Sequence, residues 1–269
     1  MQVEQMKTYR FAYGSGTVEF PLEEKNIIGE LHGNVVEPIS DIRRELWASL
    51  DAPIDSAPLC RRVTPGSTVA LVVSDMSRFW MRQDLVMPHL VDYLTQRCGV
   101  REDDITIVIA NGTHTGGDEA ELRTLVTDAV YDRITVENHN CDSDDLVYLG
   151  TTPHGTPVSI NRTAALADMV ICLGAATHHV MAGFGGGRKS ILPGISSRET
   201  IFHNHAFSLD AAALRSNPAV GNGILQGNPL HEDMCEAAGL VKNLFMVNLV
   251  MNTQMRLAAI FSGHYLPSW

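Results

Sequence analysis

Three short stretches of this chain are apolar almost without interruption: Thr68–Val73 (TVALVV), Ile105–Ala110 (ITIVIA) and Met169–Leu173 (MVICL). A strand with one wet face alternates apolar and polar residues, so a nearly unbroken run marks a strand covered on both faces. Such strands belong to parallel sheets flanked by helices, and the intervening sequence supplies them. Ile39, Ile42, Leu46 and Leu50 fall on one helical face. Further helices are expected over Asp84–Gln96, Asp118–Tyr131, near Ala164 and at 231–240, with further strands at Ile134–Glu137, 245–250 and 256–261. Residues 9–20 read as a hairpin around Gly14-Ser15-Gly16, and Leu146–Ile160 as an irregular one. The stretch 174–230 is rich in Gly, His, Ser and Asn and only weakly periodic. The expected fold class is α/β: Rossmann-like, with a mainly parallel sheet and helices on both faces.

Composition narrows the function classes. Of 269 residues, 45% are hydrophobic and 19% charged, which suits a globular protein with a real core. A net charge of −11 argues against nucleic-acid binding and against a basic membrane patch. No run of about 18 apolar residues is present, so no membrane span is expected. The N-terminal MQVEQMKTYRF has no signal-peptide core. The five cysteines are scattered, odd in number and lack a CxxC, which reads as reduced thiols in a cytoplasmic protein. The chain stops at HYLPSW, just after a strand and without a closing helix.

In open parallel sheets, ligands bind beyond the carboxyl ends of the strands. Ser74-Asp75-Met76-Ser77-Arg78 follows the first apolar run, Asn111-Gly112-Thr113-His114 the second, and Gly174 with the pair His178-His179 the third. One loop histidine is more often a surface residue than a catalyst; three such turns on one rim point to a site. The densest signal is GFGGGRKSILPG at Gly183–Gly194. A phosphate loop needs GxxxxGK[ST] opening a long helix, but Arg188 intervenes before Lys189 and Pro193 follows too soon. The alternatives are a flexible loop, an anion-binding turn, or a lysine that anchors a cofactor covalently. His203-Asn204-His205 offers two imidazoles, too few to close a metal site and equally suited to a surface loop.

The SDMSR and NGTH turns, the run HVMAGFGGGRKSILPGISS and the following Asn204-His205 closely resemble the nickel-pincer lactate racemase family. The resemblance runs from the SDMSR turn to about Ser262 and is most specific from His179 to His205. It implies an isomerase, a racemase or epimerase of 2-hydroxy acids, working by proton-coupled hydride transfer through a 2-keto acid. It implies nickel and a nickel-pincer nucleotide, pyridinium-3,5-bisthiocarboxylic acid mononucleotide, tethered at Lys189. By position, His205 is the protein's nickel ligand, His114 and His179 are the acid/base pair, and Asp75 and Arg78 line the pocket. Gly185, Gly186, Gly187 and Arg188 are expected to hold the cofactor, its phosphate in particular. His178 and His203 fall outside the match.

Family members carry a second α/β domain that closes the site. On this reading residues 1–269 are the N-terminal, cofactor-binding and catalytic domain, and the C-terminal domain is absent. The expected partners are a small 2-hydroxy acid, cofactor-biosynthesis proteins and a C-terminal domain in cis or in trans, with no nucleic acid and no membrane. Two alternatives stay open: a non-catalytic half that binds or carries the nucleotide, and a different enzyme using Lys189 for a Schiff base.

Overall fold

The structure is a computed structural model and describes residues 5–268; the first four residues of the MQVEQMKTYRF stretch lie outside them. Two units are distinguished, one reaching Val35 and the other beginning at Val36. The first holds a hairpin of β1 (Met6–Tyr13) and β2 (Gly16–Glu23), longer than the sequence suggests. Its register pairs Tyr9 with Phe20 and Phe11 with Val18, so one face of the hairpin is apolar.

The second unit opens with α1 (Ile42–Asp51) and α2 (Leu59–Arg62) and builds a six-stranded sheet. Its early strands are β3 (Val69–Ser74), β4 (Ile105–Ala110) and β5 (Thr135–Asn138), with α3 (Met87–Asp92), α4 (Glu119–Val126) and α5 (Asp128–Tyr131) between them. A separate hairpin, β6 (Val147–Thr151) and β7 (Pro157–Ile160), precedes α6 (Arg162–Leu166) and the central strand β8 (Met169–Ala175). Two-residue ladders follow, β9 (His178–His179) with β10 (Gly183–Phe184), then β11 (Leu209–Asp210) with β12 (Arg215–Ser216), and α7 (Arg198–Ala206) lies between these ladders. The chain returns through α8 (Pro229–Gly239) to β13 (Leu244–Met251) and β14 (Leu257–Gly263). Strand order is β14-β13-β8-β3-β4-β5, parallel except for the β13–β14 pair at one edge.

Alternation of side chains across the pleat explains the unbroken apolar runs. Leu71, Val73, Ile107, Ile109, Ile171 and Leu173 pack on one face against Leu46, Leu50, Leu90 and Leu122. Ala70, Val72, Val108, Val170 and Cys172 pack on the other against Ala164, Ile201 and Met234. Helices therefore cover both faces, as the sequence requires.

Three expectations change. Asp84–Gln96 is not one helix: a 3-10 turn (Gln83–Leu85) precedes α3, and the chain then widens into a π turn over Tyr93–Arg97. There the Thr95 hydroxyl donates to the carbonyl of Val91 at 3.0 Å, and the Cys98 amide reaches back to Tyr93. Asp118–Tyr131 is split at Thr127, where φ is +77°. The reading of five reduced thiols is overturned for Cys60 and Cys98, which are joined as a disulfide with their Cα atoms 4.8 Å apart. They lie 38 residues apart in sequence, and the packing of α2 beside the end of the π turn brings them together. Cys141, Cys172 and Cys235 are free. No described helix is long and apolar enough to cross a membrane.

Candidate active site

β8, β3 and β4 are neighbours and parallel, so their carboxyl ends deliver three turns to one rim. After β3 the chain enters a short 3-10 turn from Asp75. Ser77 Oγ donates to Asp75 Oδ1 at 2.6 Å and accepts from Arg78 Nη1 at 2.6 Å. After β4, buried Asn111 donates to the carbonyl of His139 and to Asn138 Oδ1, both at 3.1 Å, which fixes the turn. His114 then sits with Nδ1 2.5 Å from Asp75 Oδ2. A carboxylate only accepts, so Nδ1 carries a proton, and in the neutral ring the lone pair is on Nε2.

After β8 come the two histidines. His178 is exposed, its ring tilted against Phe184 with centroids 4.7 Å apart and its Nδ1 against Asn222. His179 turns inward, and its Nδ1 accepts from the backbone amides of Met181 and Ala182 at 3.2 and 3.1 Å. The glycine run then folds back under β8. Gly186 has φ +74°, and a Cβ there would lie 2.8 Å from the carbonyl oxygen of Ala175, so no other residue fits without a backbone shift. A 3-10 turn over Gly187–Ser190 carries Arg188 and Lys189. Finally α7, capped by Ser197, places His205 half-buried and His203 exposed. Residues two apart on a helix face different ways, which is why one of the pair enters the site and the other does not.

Asp75, Arg78, His114, His179, Lys189 and His205 line one cavity of about 470 Å³. Burial, then the charges of Arg188 and Arg78, bring Lys189 down to about 7. Burial, then Lys189 and Arg78, bring His179 down to about 4. His205 is lowered by burial and by Lys189, against a smaller opposing contribution from the backbone of Ile201, and its Nδ1 is buried. A crowd of cations in a desolvated pocket thus favours the neutral forms of Lys189, His179 and His205.

Gly185 and Gly186 also line the cavity; Gly187 and Arg188 do not. The expectation that this turn grips a phosphate meets two obstacles. The Gly185 amide already donates to the Thr177 carbonyl and the Gly187 amide to Asn248 Oδ1. Arg188 is fully buried, and its guanidinium donates to the carbonyls of Ala182 (2.7 Å) and Phe184 (3.2 Å), pinning the turn behind His179. Arg188 is thus a strut of the loop. Asn248, on β13, was missed by the sequence reading, although one polar residue inside LFMVNLVM is a signal. Among the described residues, His154, Asp233 and Glu236 form a cluster with metal-ligand spacing, but none lines the cavity, and Asp233 is filled by Thr152, Thr156 and Asn204. Among the described residues His205 belongs to no such cluster.

A family model described as the lactate racemase N-terminal domain matches residues 13–216. The chain belongs to that family. It is 29% identical over 262 residues to the lactate racemase of Thermoanaerobacterium thermosaccharolyticum, covering 96% of this chain and 60% of that protein. It is 29% identical over 254 residues to the lactate racemase of Lactiplantibacillus plantarum, covering 93% of this chain and 58% of that protein. The solved lactate racemase apoprotein from T. thermosaccharolyticum superposes with a TM-score of 0.82 at 28% identity, over 97% of this chain and 60% of that one. A Thermotoga maritima protein shares the fold, with a TM-score of 0.66 at 21% identity over 85% of this chain and 56% of that one. This member of the lactate racemase N-terminal domain family spans about three fifths of the length of the curated relatives it matches.

Proposed function

We propose that residues 1–269 are the cofactor-carrying half of a lactate racemase-like isomerase acting on 2-hydroxy acids. The observation that carries this reading is the meeting, in one cavity, of a lysine brought down to about 7 with the His114–Asp75 pair, His179 and His205. A lysine amine that is substantially uncharged near neutral pH is a competent nucleophile, and Lys189 is the residue to tether a nickel-pincer nucleotide. His205 is the protein ligand to nickel: a neutral imidazole is the ligating form, and sulfur donors on the nucleotide complete a set this cavity does not itself offer. Gly185 and Gly186, bare of side chains, let a flat ring approach the floor. When bound, the nucleotide supplies a reversible hydride acceptor.

The chain's own side chains handle the substrate. Arg78 pairs with the carboxylate of the 2-hydroxy acid. His114 takes the hydroxyl proton at Nε2, and Asp75 holds the ring and stabilises the charge it acquires. His179 meets the oxygen from another side of the cavity. Proteins that build and insert the nucleotide, and a C-terminal domain that covers the rim, complete the list of partners.

The test is a chiral assay with lactate on the nucleotide-loaded chain, alone and with the C-terminal part of a relative supplied in cis or in trans. The expected result is racemisation with the second part and negligible turnover without it, because an open rim neither excludes water nor fixes the substrate. Tight nucleotide binding without turnover in either arrangement overturns the reading in favour of a carrier. A second expectation concerns the metal. His205→Ala loses most of its nickel and keeps the organic adduct, while exposed His203→Ala keeps both. Metal analysis beside intact mass separates them, and the reverse order refutes the ligand assignment.

A further inference from the structure

The equal roles that the family resemblance implies for the two histidines do not match how this chain holds them. His114 donates its Nδ1–H to Asp75, so in its neutral form the lone pair is on Nε2. His179 is tied the other way, since two backbone N–H groups, those of Met181 and Ala182, both point at its Nδ1. A ring nitrogen that accepts two N–H groups has no proton of its own, so a neutral His179 carries its proton on Nε2. For Nε2 to act as a base, the proton must sit on Nδ1, facing two donors. That arrangement breaks two hydrogen bonds and sets three N–H groups against one another. Giving the Nε2 proton away is equally closed, because Nδ1 has no room to bring in a replacement and the ring would become an anion.

We infer that the backbone amides of Met181 and Ala182 hold His179 as a neutral Nε2–H donor, and that it exchanges protons only when the Val180–Ala182 turn releases Nδ1. In the form described here His114 is the cavity's proton acceptor, and His179 polarises the substrate oxygen by hydrogen bonding. Three further observations support this. The charged and titratable groups that act on the ring, Lys189, Arg78, Arg188 and His205, all oppose an imidazolium, and together with burial they bring His179 to about 4. The turn is built to hold: Arg188 clamps the Ala182 and Phe184 carbonyls from behind. Its tip is not packed over, since Val180 is exposed. The catalytic consequence rests on the racemase reading above; the tautomer itself does not. Both imidazoles serve as acid and base in a racemase only if this turn opens during the cycle, so the turn is the positioning element that decides when His179 becomes active.

Ring-nitrogen NMR on the ¹⁵N-histidine-labelled, cofactor-free 269-residue chain tests the inference. His179 and His114 are assigned by the resonances lost in His179→Gln and in His114→Gln, each of which cross-checks the other. The expected pattern at pH 7 is a bare, pyridine-like Nδ1 and a protonated, pyrrole-like Nε2 for His179, against a protonated Nδ1 for His114. The His179 pattern should persist on acidification and give way only near its lowered pKa of about 4. A His179 ring that is charged at pH 7, protonated at Nδ1, or averaged between tautomers overturns it. None of these outcomes depends on racemisation, so the tautomer can fail while the racemase reading stands, and the chiral assay can fail while the tautomer stands.

Discussion

Lys189→Ala is expected to abolish both nucleotide attachment and racemisation, the largest single effect in the molecule. The cavity offers no second lysine, so nothing can replace its amine. Attachment needs an uncharged amine, and an ordinary lysine is almost wholly protonated at pH 7. Burial of the Lys189 side chain, with Arg188 and Arg78 close by, brings it to about 7 and so exposes its lone pair at working pH. The sign follows directly. The protonated form is disfavoured in the folded chain, so reactivity toward an acylating reagent rises with pH and levels off just above 7, where a surface lysine is only beginning to respond. Labelling the chain across pH and mapping the modified peptides measures this profile. Lys189→Arg keeps a charge and a similar stem but has no neutral amine, so it should fold and fail alongside Lys189→Ala. An adduct of normal yield on either variant, or one that maps to Lys242 or another lysine, sinks the tether assignment.

The parts of the site that were legible in the sequence are those fixed by period. Buried strands announce themselves as apolar runs, and in a parallel sheet the residues that follow share one edge, so the sequence alone puts Asp75, Arg78, His114 and His179 on one rim. The start of α4 agrees with the helix expected from Asp118, and the structure closes it with a capping box between Asp118 and Glu121. What resisted was structure without a stripe. In α7 the apolar pair Ile201-Phe202 is adjacent, one buried and one exposed, so no face repeats and the segment reads as irregular. Its helicity is nonetheless what separates His205 from His203. The roles inside the glycine run were also hidden. Sequence puts Arg188 beside Lys189 and suggests that both face a ligand, whereas the tight 3-10 turn sends one into the protein and the other into the cavity. The Cys60–Cys98 pairing left no local trace and emerged only from the fold, while Asn248 marked itself as the one polar residue inside LFMVNLVM but its partner Gly187 did not.

Replacing His114 or His179 by Ala should lower racemisation by about 10²–10⁴-fold, the range for losing a general acid or base. The two losses arise differently. His114→Ala removes the imidazole whose Nδ1 is held by Asp75 and whose Nε2 faces the substrate, so deprotonation of the hydroxyl falls to water. Asp75→Asn should cost a large part of the same factor with the ring still present, because the amide no longer stabilises the charge His114 acquires and can present the wrong partner to Nδ1. His179→Ala removes a donor that, on the tautomer inferred above, must first be released by its turn. Lactate enantiomers are equal in free energy, so kcat/KM must be the same in both directions for every variant. Any of these substitutions therefore slows D-to-L and L-to-D conversion by the same factor in kcat/KM, even when its role belongs to one face of the substrate. The asymmetry between the histidines has to be sought in kcat and KM separately, where the slow release of His179 is expected to lower kcat for the enantiomer whose hydroxyl faces it. Progress curves from each pure enantiomer on the loaded, two-domain enzyme supply those values. His114→Ala turning over within a few-fold of the parent chain removes it from the reaction, and with it the assignment of this rim as the site of proton transfer.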